Sequence, residues 1–274
     1  MNTYVERVVE NEKHFDADRV EYFSTPDDYP YMYETHVHTL ESSKCAVSSA
    51  VDMAKAHKAA GYTGMIITNH NWGGNTCVDT KLSWCDFLDN FFEPYYRAKK
   101  WADANDFQVF YGYEAGYDGT EFLIYGITIE WMKAHPELRD ATVEEQFQLI
   151  DAAGGLVVHA HPFRETWYIA ETRLFPEHVH AVEGLNASHS SPYIINNKHK
   201  AEFNDRAVEY ALKLGMPITG GSDTHNVELI GGGTAFRRKL SSIEDYVEQI
   251  KTTRDYVVTD GGIWLDSYGR RINK

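Results

Sequence analysis

Cysteine is scarce in this chain: Cys45, Cys77 and Cys85 are the three in 274 residues. An odd and sparse set gives no disulfide framework, and a reducing compartment is its easier home. No run of about 18 apolar residues exists to span a bilayer as a helix, and the opening residues lack the apolar stretch of a signal peptide. The expectation is a cytoplasmic protein with no membrane partner. Positive charge is also short, with 26 Lys and Arg against 41 Asp and Glu and a net charge of −15. That balance excludes a nucleic-acid polymer as the main partner, since a phosphate backbone needs a basic surface. A small phosphorylated ligand held by metal ions stays open, because a bound cation reverses the local charge logic.

What is present is ordinary globular material, 43% apolar and 24% charged, without low-complexity stretches, linkers or repeats. The length suits one α/β barrel of about 250 residues as well as two smaller domains. Residues 1–30 are polar and acidic and read as an N-terminal extension to one domain over 31–274. Within it, short β-branched or aromatic runs alternate with amphipathic stretches. Strands are expected at 31–37, 64–68, 107–113, 122–127, 155–159, 181–185, 217–220 and 256–258. An Asp-Gly turn at 118–119 should join the pair at 107–127. Helices are expected at 48–60, at 83–104 with an interruption at Pro94, from a Thr142/Glu145 capping box to about 153, at 200–214, and from Ser241/Glu244 onward. Alternation of this kind points to a parallel α/β sheet, open or closed.

The metal-type side chains fall on this map in register. His36 and His38 end the first strand, His70 follows the second, and Glu114 ends the strand at 107–113. His159 and His161 end the strand at 155–159, Asn186 follows 181–185, and Asp223 and His225 follow 217–220. In a parallel barrel such ends lie on one face, where active sites are built. His-x-His on an extended segment projects both rings to one side, toward adjacent ions. Asp-x-His at 223 and 225 does the same from the far side, and the two oxygens of Glu114 can bridge two ions. Mixed histidine and carboxylate ligands suit Zn, Mn or Fe better than Mg or Ca.

Four motifs in this order give a resemblance: Thr-His-Val-His-Thr at 35–39, Thr-Asn-His at 68–70, Ala-His-Pro at 160–162 and Ser-Asp-Thr-His at 222–225, with Gly-Tyr-Glu at 112–114 between them. The chain resembles the PHP domain (polymerase and histidinol phosphatase) family from about Tyr33 to Thr234, most closely short bacterial members whose first motif continues as Glu41 to Cys45. The resemblance implies a distorted (β/α)7 barrel, TIM-like, with two or three divalent ions. It implies His36, His38, His70, Glu114, His161, Asp223 and His225 as ligands. Two positions depart from the pattern. Ser43 stands where many members have aspartate or histidine, with Glu41 a candidate substitute, and Asn69 replaces the usual aspartate before the second-motif histidine. Asn186 aligns loosely with a further ligand position. These departures bear on a third ion more than on the first two.

Plainer readings apply elsewhere. His159 reads as a buried strand histidine or a donor behind the ligands, His57 as packing, and His14, His135, His178, His180 and His199 as surface or loop residues. Gly-Gly-Gly at 231–233 lacks the Lys-Ser/Thr of a phosphate loop. Arg164 follows a ligand loop directly, so its guanidinium can clamp a phosphate or form an exposed ion pair. His189 is a candidate general acid, and Arg237 and Arg238 are further cationic candidates.

The reading that follows is a metal-dependent phosphoesterase acting on a small phosphorylated metabolite through a hydroxide held by ions that Glu114 bridges. Glu114, Asp223, Arg164 and His189 form the catalytic set, and rim loops 72–82, 163–176 and 187–200 decide the substrate. An amidohydrolase shares the His-x-His start and closing aspartate but needs a bridging lysine, and here glutamate stands at 114. A metal-stabilised, non-catalytic regulatory module is the third reading.

Overall fold

The computed structural model describes residues 24–190 and 201–272. Most of the proposed extension, with His14, and the segment carrying His199 lie outside the described residues. Ten strands form one sheet: β1 (Tyr31–Val37), β2 (Gly64–Ile67), β3 (Gln108–Tyr117), β4 (Thr120–Tyr125), β5 (Leu156–Ala160), β6 (Ala181–Asn186), β7 (Ile218–Gly221), β8 (Gly233–Phe236), β9 (Tyr256–Thr259) and β10 (Trp264–Asp266). Their order is β10-β9-β8-β1-β2-β3-β4-β5-β6-β7. Helices α1 (Ala50–Ala59), α2 (Trp84–Asp103), α3 (Ile129–Ala134), α4 (Val143–Ala152), α5 (Ala187–Ser190), α6 (Ala201–Leu214) and α7 (Ile243–Glu248) fill the connections.

The sheet curls until its β7 end meets β1. A parallel bridge joins Val37 to Thr224 just beyond β7, where the His38 amide donates to the Thr224 carbonyl at 2.9 Å and the Thr224 amide to His36 at 3.1 Å. Close approach is possible because the chain is bare there. A Cβ on Gly221 would sit 2.7 Å from the Cβ of His36, and one on Gly232 would sit 2.2 Å from the Gly221 carbonyl oxygen. Gly232 and Gly233 therefore serve close packing at the start of β8.

Three strands run against the expected parallel pattern: β8 is antiparallel to β1 and β9, β10 is antiparallel to β9, and β4 sits inside the set that carries the motifs. β4 is antiparallel to both β3 and β5, because the Asp118–Gly119 turn takes the left-handed conformation at both positions (φ 47° and 86°) and closes a two-residue hairpin. The start of β4, not its end, thus lies beside the C-terminal ends of its neighbours. Other differences are local. α2 runs unbroken through Pro94, since burial of Trp84, Phe87, Leu88, Phe91 and Phe92 on one stripe outweighs the bond lost at proline. α7 is capped by Ser242, whose side chain accepts from the Asp245 amide, not by Ser241. Among the described residues no helix is long and apolar enough to cross a membrane.

Candidate metal centre

The ends of β1, β2, β5 and β7 and the middle of β3 bring seven side chains to one place; β3 runs on to Tyr117 because it pairs with β4 along its length, so Glu114 lies inside the strand and not at the end expected at 113. A bulge between Glu34 and Val37 bends β1, and bulges re-aim side chains next to sites. Beyond β2, His70 bridges to Glu114 in register, the Glu114 amide donating to Asn69 at 3.0 Å. His161 and Asp223 follow their strands with positive φ, 26° and 52°, conformations that cost a non-glycine residue about 1–3 kcal/mol each.

Glu114 sits at the centre, fully buried. One oxygen, Oε1, lies 3.1 Å from His36 Nε2 and 3.2 Å from His161 Nε2. The other, Oε2, lies 2.7 Å from His70 Nδ1 and 3.5 Å from His38 Nε2. Asp223 closes the opposite side, its Oδ1 3.2 Å from His38 Nε2 and 3.5 Å from His36 Nε2. Four groups of potential ligand atoms result: His38, His70 and His225; His36, His38 and Glu114; His36, His161 and Asp223; and His70, Glu114 and Glu121. Buried His, Glu and Asp clusters able to coordinate one or two metal ions are therefore present.

The partners behind the rings fix their tautomers. His36 Nδ1 donates to Glu183 Oε1 at 2.8 Å. The Ser43 hydroxyl donates to Asn69 Oδ1 at 2.9 Å, so its oxygen accepts from His38 Nδ1 at 3.2 Å. His225 Nδ1 donates to the Asp223 carbonyl at 2.9 Å. Each bond fixes a proton on Nδ1 and turns Nε2 toward the centre, the orientation typical of metal-binding histidine. The His36 and His38 Nε2 atoms then face each other at 3.1 Å. At that distance the two nitrogens share one proton or hold a cation between them, and with Glu114 and Asp223 alongside, this donor set fits a metal.

Titration follows the same logic. Burial disfavours charge on His36, but the carboxylates of Glu183, Asp223 and Glu114 outweigh it and hold its pKa well above the usual histidine value. His70 is raised in the same way, burial being overcome chiefly by Glu114. His38 is driven well below by burial, then by His70 and His225. Glu114 and Asp223 are both held well below the carboxylate range, burial being outweighed first by His36.

Several residues escaped sequence reasoning. Glu121 enters because β4 is reversed, 3.7 Å from His70 Nδ1 and 3.6 Å from His161 Nε2. Glu183 holds His36 and also accepts from the His161 amide and from Asn186 Nδ2, both at 3.0 Å. A lone glutamate in the apolar run of β6 was the available signal, since a buried carboxylate needs partners. Asn186 thus supports Glu183 and does not join the ligand groups. Glu41, the candidate substitute at the first motif, instead accepts from the Ala50 amide at 3.1 Å, capping α1.

Arg164 is not an exposed ion pair. It spans Glu121 and Asp223, 3.3 Å from Asp223 Oδ2, and its buried Nε has no hydrogen-bond partner. His189 is buried on α5, its Nδ1 3.3 Å from Asn204 Oδ1, its Nε2 unpartnered and its ring centre 6.2 Å from that of His161. Burial, then His161, pushes its pKa down to about 4. His159 stacks on Phe122 and is pushed down to about 3 by burial, a packed strand histidine. Arg237 and Arg238 lie at the other end of β1's neighbour β8, paired with Asp255 and Asp245.

A curled, half-open α/β barrel carrying this cluster defines the PHP-type class of metal-site fold. A family model described as PHP-associated matches residues 201–254, the segment that holds Asp223 and His225. A two-domain protein from Bacteroides vulgatus ATCC 8482, described as containing a predicted PHP-like metal-dependent phosphoesterase, superposes with a TM-score of 0.60 at 14% identity, over 90% of this chain and 70% of that one. A provisionally assigned metal-dependent phosphoesterase from Bifidobacterium adolescentis ATCC 15703 gives 0.46 at 13% identity, over 72% and 88% of the two chains. An amidohydrolase from Chromobacterium violaceum with bound sulfate gives 0.44 at 13%, over 71% and 87%. No curated protein matches the sequence. The chain shares the PHP-like fold of the Bacteroides vulgatus protein.

Proposed function

We propose that this protein is a metal-dependent phosphoesterase that hydrolyses a small phosphorylated metabolite. The observation that carries the reading is the placement of Glu114, whose two oxygens each face a different pair of histidines within 3.5 Å. A carboxylate so placed could be shared by two ions. Under this reading His36, His38, His70, Glu114, His161, Asp223 and His225 hold two or three divalent ions, with Zn, Mn or Fe suited to the donors. Bound there, such ions supply a water that ionises near neutrality and polarise phosphoryl oxygens.

The chain's own residues do the rest. Glu183 and Ser43 keep the His36 and His38 rings turned toward the centre. Arg164, anchored on two carboxylates, has its Nε proton left for a non-bridging oxygen of the ester, and fixed charge of this kind stabilises a phosphoryl transition state at little reorganisation cost. His189 is neutral near pH 7, so we assign it to accepting a hydrogen bond from substrate or water through Nε2 in place of the general-acid role. The exposed Trp167 and half-exposed Tyr168 stand on the rim loop that follows Arg164 and would meet the leaving group. Phosphate release from esters by the metal-loaded protein, lost in a folded His36→Ala variant, tests this reading. Retained release in that variant contradicts it.

A further inference from the structure

We propose that Glu34 is a positioning residue of the metal centre: one oxygen of its buried carboxylate clips the His36 segment to the Asp223 segment across the barrel seam. The inference rests on the reading of the cluster as a metal centre. It goes beyond that reading by naming what fixes the spacing of two ligands that come from distant parts of the chain. Three features carry it.

The first is a need of the backbone. The bulge between Glu34 and Val37 breaks the register of β1 with β2, and amides at a bulge lose their ladder partners. Side chains take over here. The Val37 amide donates to the Thr68 hydroxyl at 2.9 Å, and the His36 amide donates to Glu34 Oε1 at 3.0 Å.

The second is what else that oxygen holds. Glu34 Oε1 also accepts from the Ser222 amide at 2.8 Å. The Ser222 hydroxyl in turn accepts from the Gly232 amide at 2.7 Å. Asp223, the next residue, has a φ of 52°, a conformation that persists only where its surroundings over-determine it. Ser222 before it is held by Glu34, and the Thr224 amide after it donates to the His36 carbonyl at 3.1 Å. Both restraints run to β1, so they set the 3.5 Å between His36 Nε2 and Asp223 Oδ1.

The third is that local stability does not account for a carboxylate here. Glu34 is fully buried, yet its Oε2 has no hydrogen-bond partner among the described residues. His57 Nε2, 3.8 Å away, has none either. A half-satisfied buried carboxylate is costly, so its use lies in the two bonds to Oε1. His57 forms the wall behind it. Its Nδ1 donates to the Met53 carbonyl at 2.8 Å, its ring meets Tyr62 edge-on, and the Tyr62 hydroxyl donates to the Gly232 carbonyl at 2.7 Å. The wall is tied to the same seam.

Cobalt(II) is the probe. Metal-stripped wild type, Glu34→Leu and Glu34→Gln are titrated with cobalt in competition with a chromophoric chelator, and the visible ligand-field bands are recorded. Glu34→Leu removes both bonds and should weaken cobalt about 10-fold or more, with altered ligand-field bands. Glu34→Gln keeps an oxygen for both amides and should recover most of the affinity and the wild-type bands. A purely structural role would lower the denaturation midpoint of Glu34→Leu while leaving the affinity and bands of its folded form unchanged, and that result overturns the proposal. Glu34→Gln as weak as Glu34→Leu overturns it too, since charge and not the two hydrogen bonds would then matter. Either result leaves the metal-centre reading standing, whereas failure of wild type to bind cobalt overturns both. Circular dichroism confirms that each variant is folded. Should Glu34→Leu misfold, Glu34→Asp decides the question. It keeps the charge but is one methylene too short to hold both amides, so wild-type affinity and bands in that variant overturn the proposal.

Discussion

His70 Nδ1 and Glu114 Oε2 lie 2.7 Å apart, both buried, and neither makes a hydrogen bond. Buried polar atoms are satisfied almost without exception, and an orphan costs about 1–3 kcal/mol. Held this close, the two are an ion pair while the ring is protonated, and both atoms become available to a cation when it is not. Together with the facing Nε2 atoms of His36 and His38, 3.1 Å apart, it belongs to a buried cluster of donors able to coordinate one or two metal ions.

Glu183 should matter to the centre without touching it. Its carboxylate orients His36, and removing such support typically weakens metal affinity roughly 10–100-fold. Glu183→Gln keeps an oxygen for one donor but loses the charge, so it should weaken zinc or manganese binding by that factor while the protein stays folded. Competition titration against a chromophoric chelator measures it, and unchanged affinity would contradict the assignment.

Metal binding should release protons. In the metal-free protein the carboxylates overcome burial and hold His36 and His70 well above the usual histidine pKa, so both rings carry protons at neutral pH. A ligand ring must be neutral. The ion therefore displaces protons, affinity rises as pH rises, and the number released per ion falls toward zero once pH passes the raised pKa values. Calorimetry in two buffers of different ionisation enthalpy counts them at pH 7, and a count of zero would refute the scheme.

Arg164 should contribute through ester binding. Arg164→Lys keeps the charge but loses the fork that spans Glu121 and Asp223. It should lower kcat/KM for a phosphate ester about 10–100-fold, or roughly 1.4–2.7 kcal/mol, with most of the loss in KM. A fall confined to kcat would point to a disturbed centre instead.

The barrel seam makes a separate demand. A Cβ on Gly232 would sit 2.2 Å from the Gly221 carbonyl oxygen, backbone that cannot swing aside. Gly232→Ala should destabilise the protein by about 1–3 kcal/mol, as overpacking does. A denaturant midpoint equal to wild type would show that the seam is looser than described.

The legible part of this site was the part written at strand ends and, for Glu114, inside a strand that runs on to Tyr117. His36, His38, His70, Glu114, His161, Asp223 and His225 all follow apolar runs, and a barrel brings such ends together whatever their separation in sequence. Glu121 was hidden for the converse reason. The turn at Asp118–Gly119 was readable, but its consequence, a strand whose beginning faces the centre, depends on where β4 inserts between β3 and β5. Glu41 misled because a carboxylate near a motif looks like a ligand, while its partner, the start of α1, lies nine residues on. Pro94 misled because local propensity says nothing of the aromatic stripe that holds α2 together.

The most direct test of the central claim is phosphate release from a broad panel of phosphate esters. Metal-stripped protein is reloaded with Mn, Zn or Fe and compared with Asp223→Asn, which keeps the shape of the side chain but removes a charge that faces His36 and His38. The account predicts release that requires the metal and vanishes in the variant. Two ions bound per chain with silence across the panel would contradict it.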